Sequence, residues 1–270
     1  MPLFSATCPL PVNRIKNRLF DPDARDYILR VEAADGQPLE SQVRGAINSF
    51  VIGCKADGNW NSIVTSCIMA GARTVAGAIV PLKGNAPTNN NFVSGDYSRK
   101  LGLLGNDSDK YLATGYNNND TINFPQNDSH ISCYVSASQT DASGTFVGTI
   151  NLSTGSRLSL HYATATQIAH RNRGLAASSI ALAPIGFQGG TRNNSANFSR
   201  RFTSSVGISE ATLSSASGAP ASDLLGVFAA GNGSNFSNAR MSFYSIGKSL
   251  TLSSLDSRVT TLINTLAGVI

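Results

Sequence analysis

The sequence predicts a mainly β protein: an antiparallel jelly-roll sandwich with an N-terminal cap of three helices and a C-terminal helix. Three observations carry this. Apolar residues recur at helical spacing from residue 21 to about 70 and again after 250, and alternate with period two in between. About ten short runs in that middle part are separated by turn residues, such as Gly105, Asn106 and Asp107, or Gly231, Asn232 and Gly233. The chain also holds 24 Asn, 35 Ser and 19 Thr in 270 residues. Only 14% of residues are charged, against roughly 25% in an ordinary soluble domain. Extracellular, viral and cell-surface β proteins have this balance, because their turns need Asn, Gly and Ser.

Residues 1–20 read as an extended arm, since Pro2, Pro9 and Pro11 forbid regular structure. Asp21 caps a first helix with Pro22 at its first position; Ala24, Tyr27, Ile28 and Val31 form its apolar stripe, and Gly36 ends it. Val43, Ala46, Ile47, Phe50 and Cys54 line a second helix that stops at Gly58. A third, capped by Asn59, places Trp60, Ile63, Val64, Cys67 and Ile68 inward. Strands are expected at 91–93, 99–103, 110–114, 130–136, 145–150, 157–162, 167–171, 196–206, 224–229 and 240–246. Leu252, Leu255, Val259, Leu262, Ile263 and Leu266 then stripe a final helix. The division is arm 1–20, helical cap 21–83, and sandwich with C-terminal helix 84–270.

No apolar run approaches the 18 or so residues of a membrane helix, and the N-terminus lacks the order of a secretory signal. The net charge of +5 resides in the middle. Between 142 and 222 stand Arg157, Arg171, Arg173, Arg192, Arg200 and Arg201 against Glu210 alone. Such an excess either faces a polyanion or is a set of solvated arginines that keep the particle soluble. Without an aromatic-rich nucleic-acid motif, no specific nucleic-acid partner is expected. Cys8, Cys54, Cys67 and Cys133 show no metal-ligand spacing. They are expected as reduced thiols, with Cys54 and Cys67 on helical faces close enough for a bridge to remain open.

Two separated blocks resemble one family. One is GCKADGNWNSIVTSCIMAGART followed by PLKGNAPTNNNFVSGDYSRKLGLLGNDSDKYL; the other is SNARMSFYSIGKSLTLSSLDSRVTTLINTL. Both are similar to a group of tailed-bacteriophage virion proteins whose β part looks like the concanavalin-A or laminin-G-like lectin sandwich. Arg240, Phe243, Tyr244, Ile246 and Gly247 match that fold's late R-x-x-F-Y-x-I-G strand. The likeness covers about 21–135 and 223–270 and leaves 136–222 unmatched. It implies a fixed scaffold presenting a variable surface, as adhesins do.

Catalysis is not expected. Glycoside hydrolysis needs two facing carboxylates, yet Glu32 and Glu40 fall in helices and Glu210 stands alone. There is no G-x-S-x-G elbow and no phosphate-binding loop, and His130, His161 and His170 fall in or beside strands. Asp107, Asp109, Asn118, Asn119 and Asp120 supply oxygens in turns, but without the calcium-loop pattern no metal or cofactor is expected. Carbohydrate recognition uses planar polar side chains beside an aromatic face. Three loops qualify: Tyr116 with Asn117, Asn118 and Asn119; Arg171 with Asn172 and Arg173; and Arg192 with Asn193, Asn194 and Asn197. The ligand-binding candidates are Tyr116, Asn118, Arg171 and Arg192. The expected protein is a non-enzymatic virion component of the tail-fibre or receptor-binding type, assembled in the host cytoplasm. It would be a homotrimer that binds host surface polysaccharide and docks on other virion proteins. The competing reading is a capsid-decorating, cementing or tail-assembly protein with no ligand, and the lack of heptads for a fibre shaft favours it.

Overall fold

The computed structural model describes residues 20–138, 140, 143–149, 158–164, 167–174, 178–181 and 184–270. The predicted arm, with Cys8, and Arg157 therefore lie outside the described residues, apart from Phe20. The helices are α1 (Pro22–Asp35), α2 (Ser41–Ala56), the single turn α3 (Val75–Ala78) and α4 (Leu252–Val269). The early strands are β1 (Ile63–Ile68), β2 (Pro81–Lys83), β3 (Thr88–Asn90), β4 (Tyr97–Ser98), β5 (Gly102–Leu104), β6 (Tyr111–Asn117) and β7 (Ser129–Ala137). Then come β8 (Gly144–Gly148), β9 (Leu158–Thr164), β10 (Gln167–Asn172), β11 (Ser178–Ala181) and β12 (Pro184–Arg192). The last are β13 (Asn197–Ser204), β14 (Gly207–Ser214), β15 (Leu224–Val227) and β16 (Arg240–Gly247).

Among the described residues these strands make two antiparallel sheets. One runs β14-β13-β12-β7-β16-β1-β2, with β5 also on β16 and β4 on β5; the other runs β11-β10-β9-β8-β15-β6-β3. The centre of the first sheet, β7, β16 and β1, is buried on both faces, whereas β14 at its end is largely exposed. Phe243 of β16 points to the helices and meets Phe50 of α2 edge-on, ring centroids 5.8 Å apart. Its neighbour Tyr244 points the other way, into the core shared with Leu112, Phe146 and Val227 of the second sheet. Helices, first sheet and second sheet are thus three layers with two apolar seams.

The first helix forms as its signals predict. Asp21 accepts from the backbone N–H of Asp23 at 3.0 Å, Pro22 opens α1, and Gly36 ends it in the left-handed region at φ +68°. Lys55 Nζ, 2.7 Å from Asp21 Oδ1, ties the end of α2 to the start of α1. Arg258 of α4 donates to Asp57 just past α2, Nε to Oδ2 2.8 Å.

The predicted third cap helix is a correction. Residues 60–62 form one 3-10 turn and 63–68 are β1, paired with β16 from Ile63 opposite Gly247 to Ile68 opposite Phe243. The third helix of that layer is α4, which follows β16. A strand covered on both faces is apolar without alternation, so its spacing imitates a helix. The β-branched run Ile63, Val64 and Thr65 favours the strand. Cys67 accordingly faces the inter-sheet core and not a helical face. Cys54, Cys67 and Cys133 are free and buried. Residues 21–83 thus contribute two strands, β1 and β2, to the end of the first sheet beside β16.

Among the described residues β2, β4, β11, β12 and β14 also escaped the sequence reading, and the strand expected at 91–93 is instead β3 at Thr88–Asn90. The predicted 196–206 is β13 followed by a turn into β14. β12, with Gly186, Gly189 and Gly190, lies where no strand is expected, yet it pairs with both β7 and β13. Gly190 is required there: the His170 imidazole of the second sheet occupies the space a Cβ would take.

Candidate functional site

Strands β6, β10 and β12 end together at one end of the sandwich. The loops that follow them are the three singled out by sequence. The structure brings them into one hydrogen-bonded cluster and inverts the roles of two predicted residues.

Asn118 and Arg192 are fully buried and form part of the base, not the surface. Asn118 accepts from Arg173 Nη1 at 2.6 Å, and its backbone N–H donates to Asp223 O at 2.7 Å. Arg192 donates from Nε to Asn172 O at 2.7 Å, from Nη1 to Asn194 O at 3.1 Å and from Nη2 to Ser215 O at 2.9 Å. One guanidinium thus holds the end of β10, the β12–β13 turn and the segment after β14. Arg173 Nη2 donates to Phe124 O at 3.0 Å and holds the loop after β6. Asn172 closes the base: Ser129 Oγ donates to its Oδ1 at 2.8 Å and its Nδ2 donates to Ser129 O at 3.2 Å.

Tyr116 is half-buried, edge-on to Phe124 at 5.6 Å, and its hydroxyl accepts from the Asn85 backbone N–H at 3.3 Å. Arg171 sits on β10 between the inward-facing His170 and Asn172, so it projects from the outer face of the second sheet. Of the four candidates, Tyr116, Asn118 and Arg192 belong to the loop cluster, and Arg171 lies beside it. Sequence reasoning placed Arg173 in a candidate loop but chose Arg171 there, because the inward turn of Arg173 depends on a left-handed backbone at φ +58° that no local pattern marks.

Above this base stands an exposed rim that includes Asn119, Asn127, Asn193 and Asn194. Asn194 Oδ1 accepts from the backbone N–H groups of Ala196 at 2.9 Å and Asn197 at 2.7 Å, which fixes the β12–β13 turn. Gln126 Nε2 donates to Ser217 Oγ at 3.0 Å and joins two of the rim loops. The rim is thus rich in amide donors and acceptors and rests on a rigid polar floor.

The three glutamates are engaged elsewhere. Glu32 pairs with Arg44 at 2.5 Å, Glu40 with Arg99 at 2.8 Å and Arg73 at 3.0 Å, and Glu210 with Arg201. The Arg99 hydrogen bond holds the Glu40 carboxyl below its usual range. A separate cleft of about 530 Å³ lies between α3 and the 89–99 segment, floored by Val75, Ile79 and Phe92. Its two arginines, Arg73 and Arg99, are the pair bound to Glu40. Among the described residues, no group of three or more His, Cys, Asp or Glu side chains could hold a metal ion. Nor is any described helix long and apolar enough to cross a membrane.

No protein-family model matches the chain, and no curated protein does. Among solved structures, the botulinum neurotoxin serotype D binding domain is 10% identical, with a TM-score of 0.48 over 77% of this chain and 52% of that one. The chain thus spans about half the length of that neurotoxin structure. Domain 4 of an extracellular arabinanase from Geobacillus stearothermophilus is 11% identical, with a TM-score of 0.37 over 65% of this chain and 82% of that one. Trypanosoma rangeli sialidase is 10% identical, with a TM-score of 0.39 over 84% of this chain and 40% of that one. Likenesses this distant decide neither ligand nor activity.

Proposed function

We propose that the protein is a non-catalytic virion component of the tail-fibre or receptor-binding type, which holds host surface polysaccharide at the loop end of its sandwich. The observation that carries this reading is the convergence of three loops, distant in sequence, into one amide rim on a floor pinned by Arg173 and Arg192. Exposed Asn side chains offer both donor and acceptor to sugar hydroxyls, and a rigid floor lowers the ordering cost of binding. The resemblance to phage virion proteins supports the same reading. Its two blocks meet in space, β1 pairing with β16 and α2 packing on α4, whereas the unmatched 136–222 supplies β8–β14 and much of the rim. On this reading the matched part is the scaffold and the unmatched part the presented surface. The engaged glutamates favour binding over hydrolysis.

Single glycan contacts are weak, so the reading includes a homotrimer that binds multivalently. The test is a glycan array and a host-cell pull-down with the native oligomer, together with its location in density for the whole particle. Binding that drops on Asn119→Ala and Asn193→Ala supports the reading. A blank array and pull-down, with the chain found on the capsid lattice, would instead make it a decorating or cementing protein.

A further inference from the structure

The excess of positive charge between 142 and 222 is not carried by the described rim. Arg173 and Arg192 are 0% exposed and donate to backbone carbonyls and to the Asn118 amide oxygen. Arg201 is held by Asp256 and Glu210. The Arg200 guanidinium lies over the Phe202 ring, 5.5 Å from its centroid. Arg171 projects from the outer face of the second sheet.

The described rim segments have the opposite sign. Residues 117–128, 193–197 and 215–223 include Asp120, Asp128 and Asp223 and contain no lysine or arginine. They form one unit. The Ser217 N–H donates to Ser195 O at 2.8 Å, Ser217 Oγ donates to Asn127 Oδ1, and the Asp223 N–H donates to Asn117 Oδ1 at 2.9 Å. Lys248 adjoins this end, since the N–H of the next residue, Ser249, donates to Asp128 Oδ1 at 2.7 Å. A single ammonium does not offset three carboxylates, so an approaching polyanion is repelled. The rim also presents an apolar side chain, Ile122, which is 80% exposed. Asp120 Oδ1 accepts from the N–H groups of Ile122 at 3.1 Å and Asn123 at 3.0 Å, which fixes the turn that carries it.

We propose that the ligand of the rim is a neutral, N-acetylated polysaccharide, an inference that rests on the polysaccharide-binding reading above. An acetamido group offers an N–H, a carbonyl and a methyl. The side-chain amides of Asn119 and Asn193 complement the first two, and Ile122 complements the third. Uronate, sialate and phosphate-bearing chains are selected against by Asp120, Asp128 and Asp223.

The test uses polysaccharide extracted from host cells and split by anion exchange into a neutral and an acidic fraction, each immobilised and offered to the native oligomer. The neutral fraction should retain the protein equally at about 0.05 M and about 0.5 M sodium chloride, because no ion pair is made. De-N-acetylation of that fraction should abolish retention, although it creates ammonium groups, and re-N-acetylation should restore it. Ile122→Ser should cut retention about fivefold at an unchanged thermal midpoint. Retention by the acidic fraction alone, falling steeply with salt, would overturn the ligand class and leave the rim a polysaccharide site. Retention by the neutral fraction that survives de-N-acetylation would overturn the acetamido assignment. Retention by neither fraction would remove the polysaccharide-binding reading itself, and this inference with it.

Discussion

Arg201 of β13 points its Nε at Oδ2 of Asp256 in α4, 2.7 Å away, and so fastens the strand next to the edge of the first sheet to the C-terminal helix. Asp256 is 5% exposed. Thr260 Oγ1 donates to its other oxygen at 2.9 Å. Arg201 also pairs with Glu210 of the neighbouring β14. Removing one partner of a buried pair strands the other charge, at a cost of about 3–5 kcal/mol. Arg201→Ala should therefore lower the unfolding free energy by about 3 kcal/mol in urea titrations. The double variant with Asp256→Ala should lose less than the sum of the single variants. A loss below about 1 kcal/mol for Arg201→Ala would show the edge to be held by packing instead.

A second expectation concerns pH. His130 lies fully buried on β7, opposite Gly247 of β16. Its Nδ1 is 2.5 Å from the Lys248 carbonyl, which only accepts, so this nitrogen carries the proton, and Nε2 accepts from Ser245 Oγ at 2.7 Å. Burial pulls the imidazole down to about 4, against the opposing pull of the Lys248 carbonyl and the Asp128 charge. In the unfolded chain a histidine titrates near 6.5. Between these values the unfolded chain binds a proton that the folded chain does not. Stability is therefore full above about pH 6.5 and falls, by roughly 3 kcal/mol in all, as the pH drops towards 4. Urea unfolding at about pH 7.5 and about pH 4.5 should show this slope, and His130→Gln should flatten it. An unchanged slope in the variant would move its origin to another group.

The strands most legible in the sequence are those with one plain signal. Residues 130–136 and 240–246 interleave apolar and short polar side chains between turns, and they are β7 and β16, the centre of the first sheet. The errors have a common cause. β1 and β12 each depend on what covers them from another part of the chain. Trp60 to Ile68 has helical spacing, and only pairing with β16 and burial on both faces decide otherwise. Gly186, Gly189 and Gly190 interrupt the apolar pattern of β12, and only the His170 ring across the sandwich explains Gly190. The site divides in the same way. The three Asn- and Arg-bearing loops are visible as turns, but which arginine is floor and which is surface depends on tertiary placement. A short polar side chain such as Asn193 stays at the rim, whereas Arg192 beside it reaches three carbonyls beneath.

Thiol chemistry gives a third expectation. Burial pushes the Cys54 and Cys67 thiols up to about 12, and Cys133 higher still. Only the thiolate reacts, so the folded protein should leave all three unmodified by iodoacetamide at neutral pH. Denaturation without reductant should expose them together, as mass spectrometry would record. Modification of Cys54 in the folded state would mean that the α2–α4 seam opens.

Arg192 and Asn193 are adjacent in sequence and should separate stability from binding. Arg192→Ala leaves the carbonyls of Asn172, Asn194 and Ser215 without their donor. A buried acceptor left unsatisfied costs about 1–3 kcal/mol. Partial relaxation and water entry reduce the total, and a loss of about 3 kcal/mol in unfolding free energy is expected. Asn193 is exposed, and its replacement by Ala should change stability by less than about 0.5 kcal/mol. If the rim holds polysaccharide, Asn193→Ala weakens retention of the oligomer on host cells at unchanged stability. Arg192→Ala weakens retention only as far as its loops loosen, and osmolytes that restore its stability should restore binding. Equal retention by wild type and Asn193→Ala, with Asn119→Ala equally silent, would take the rim out of the binding surface.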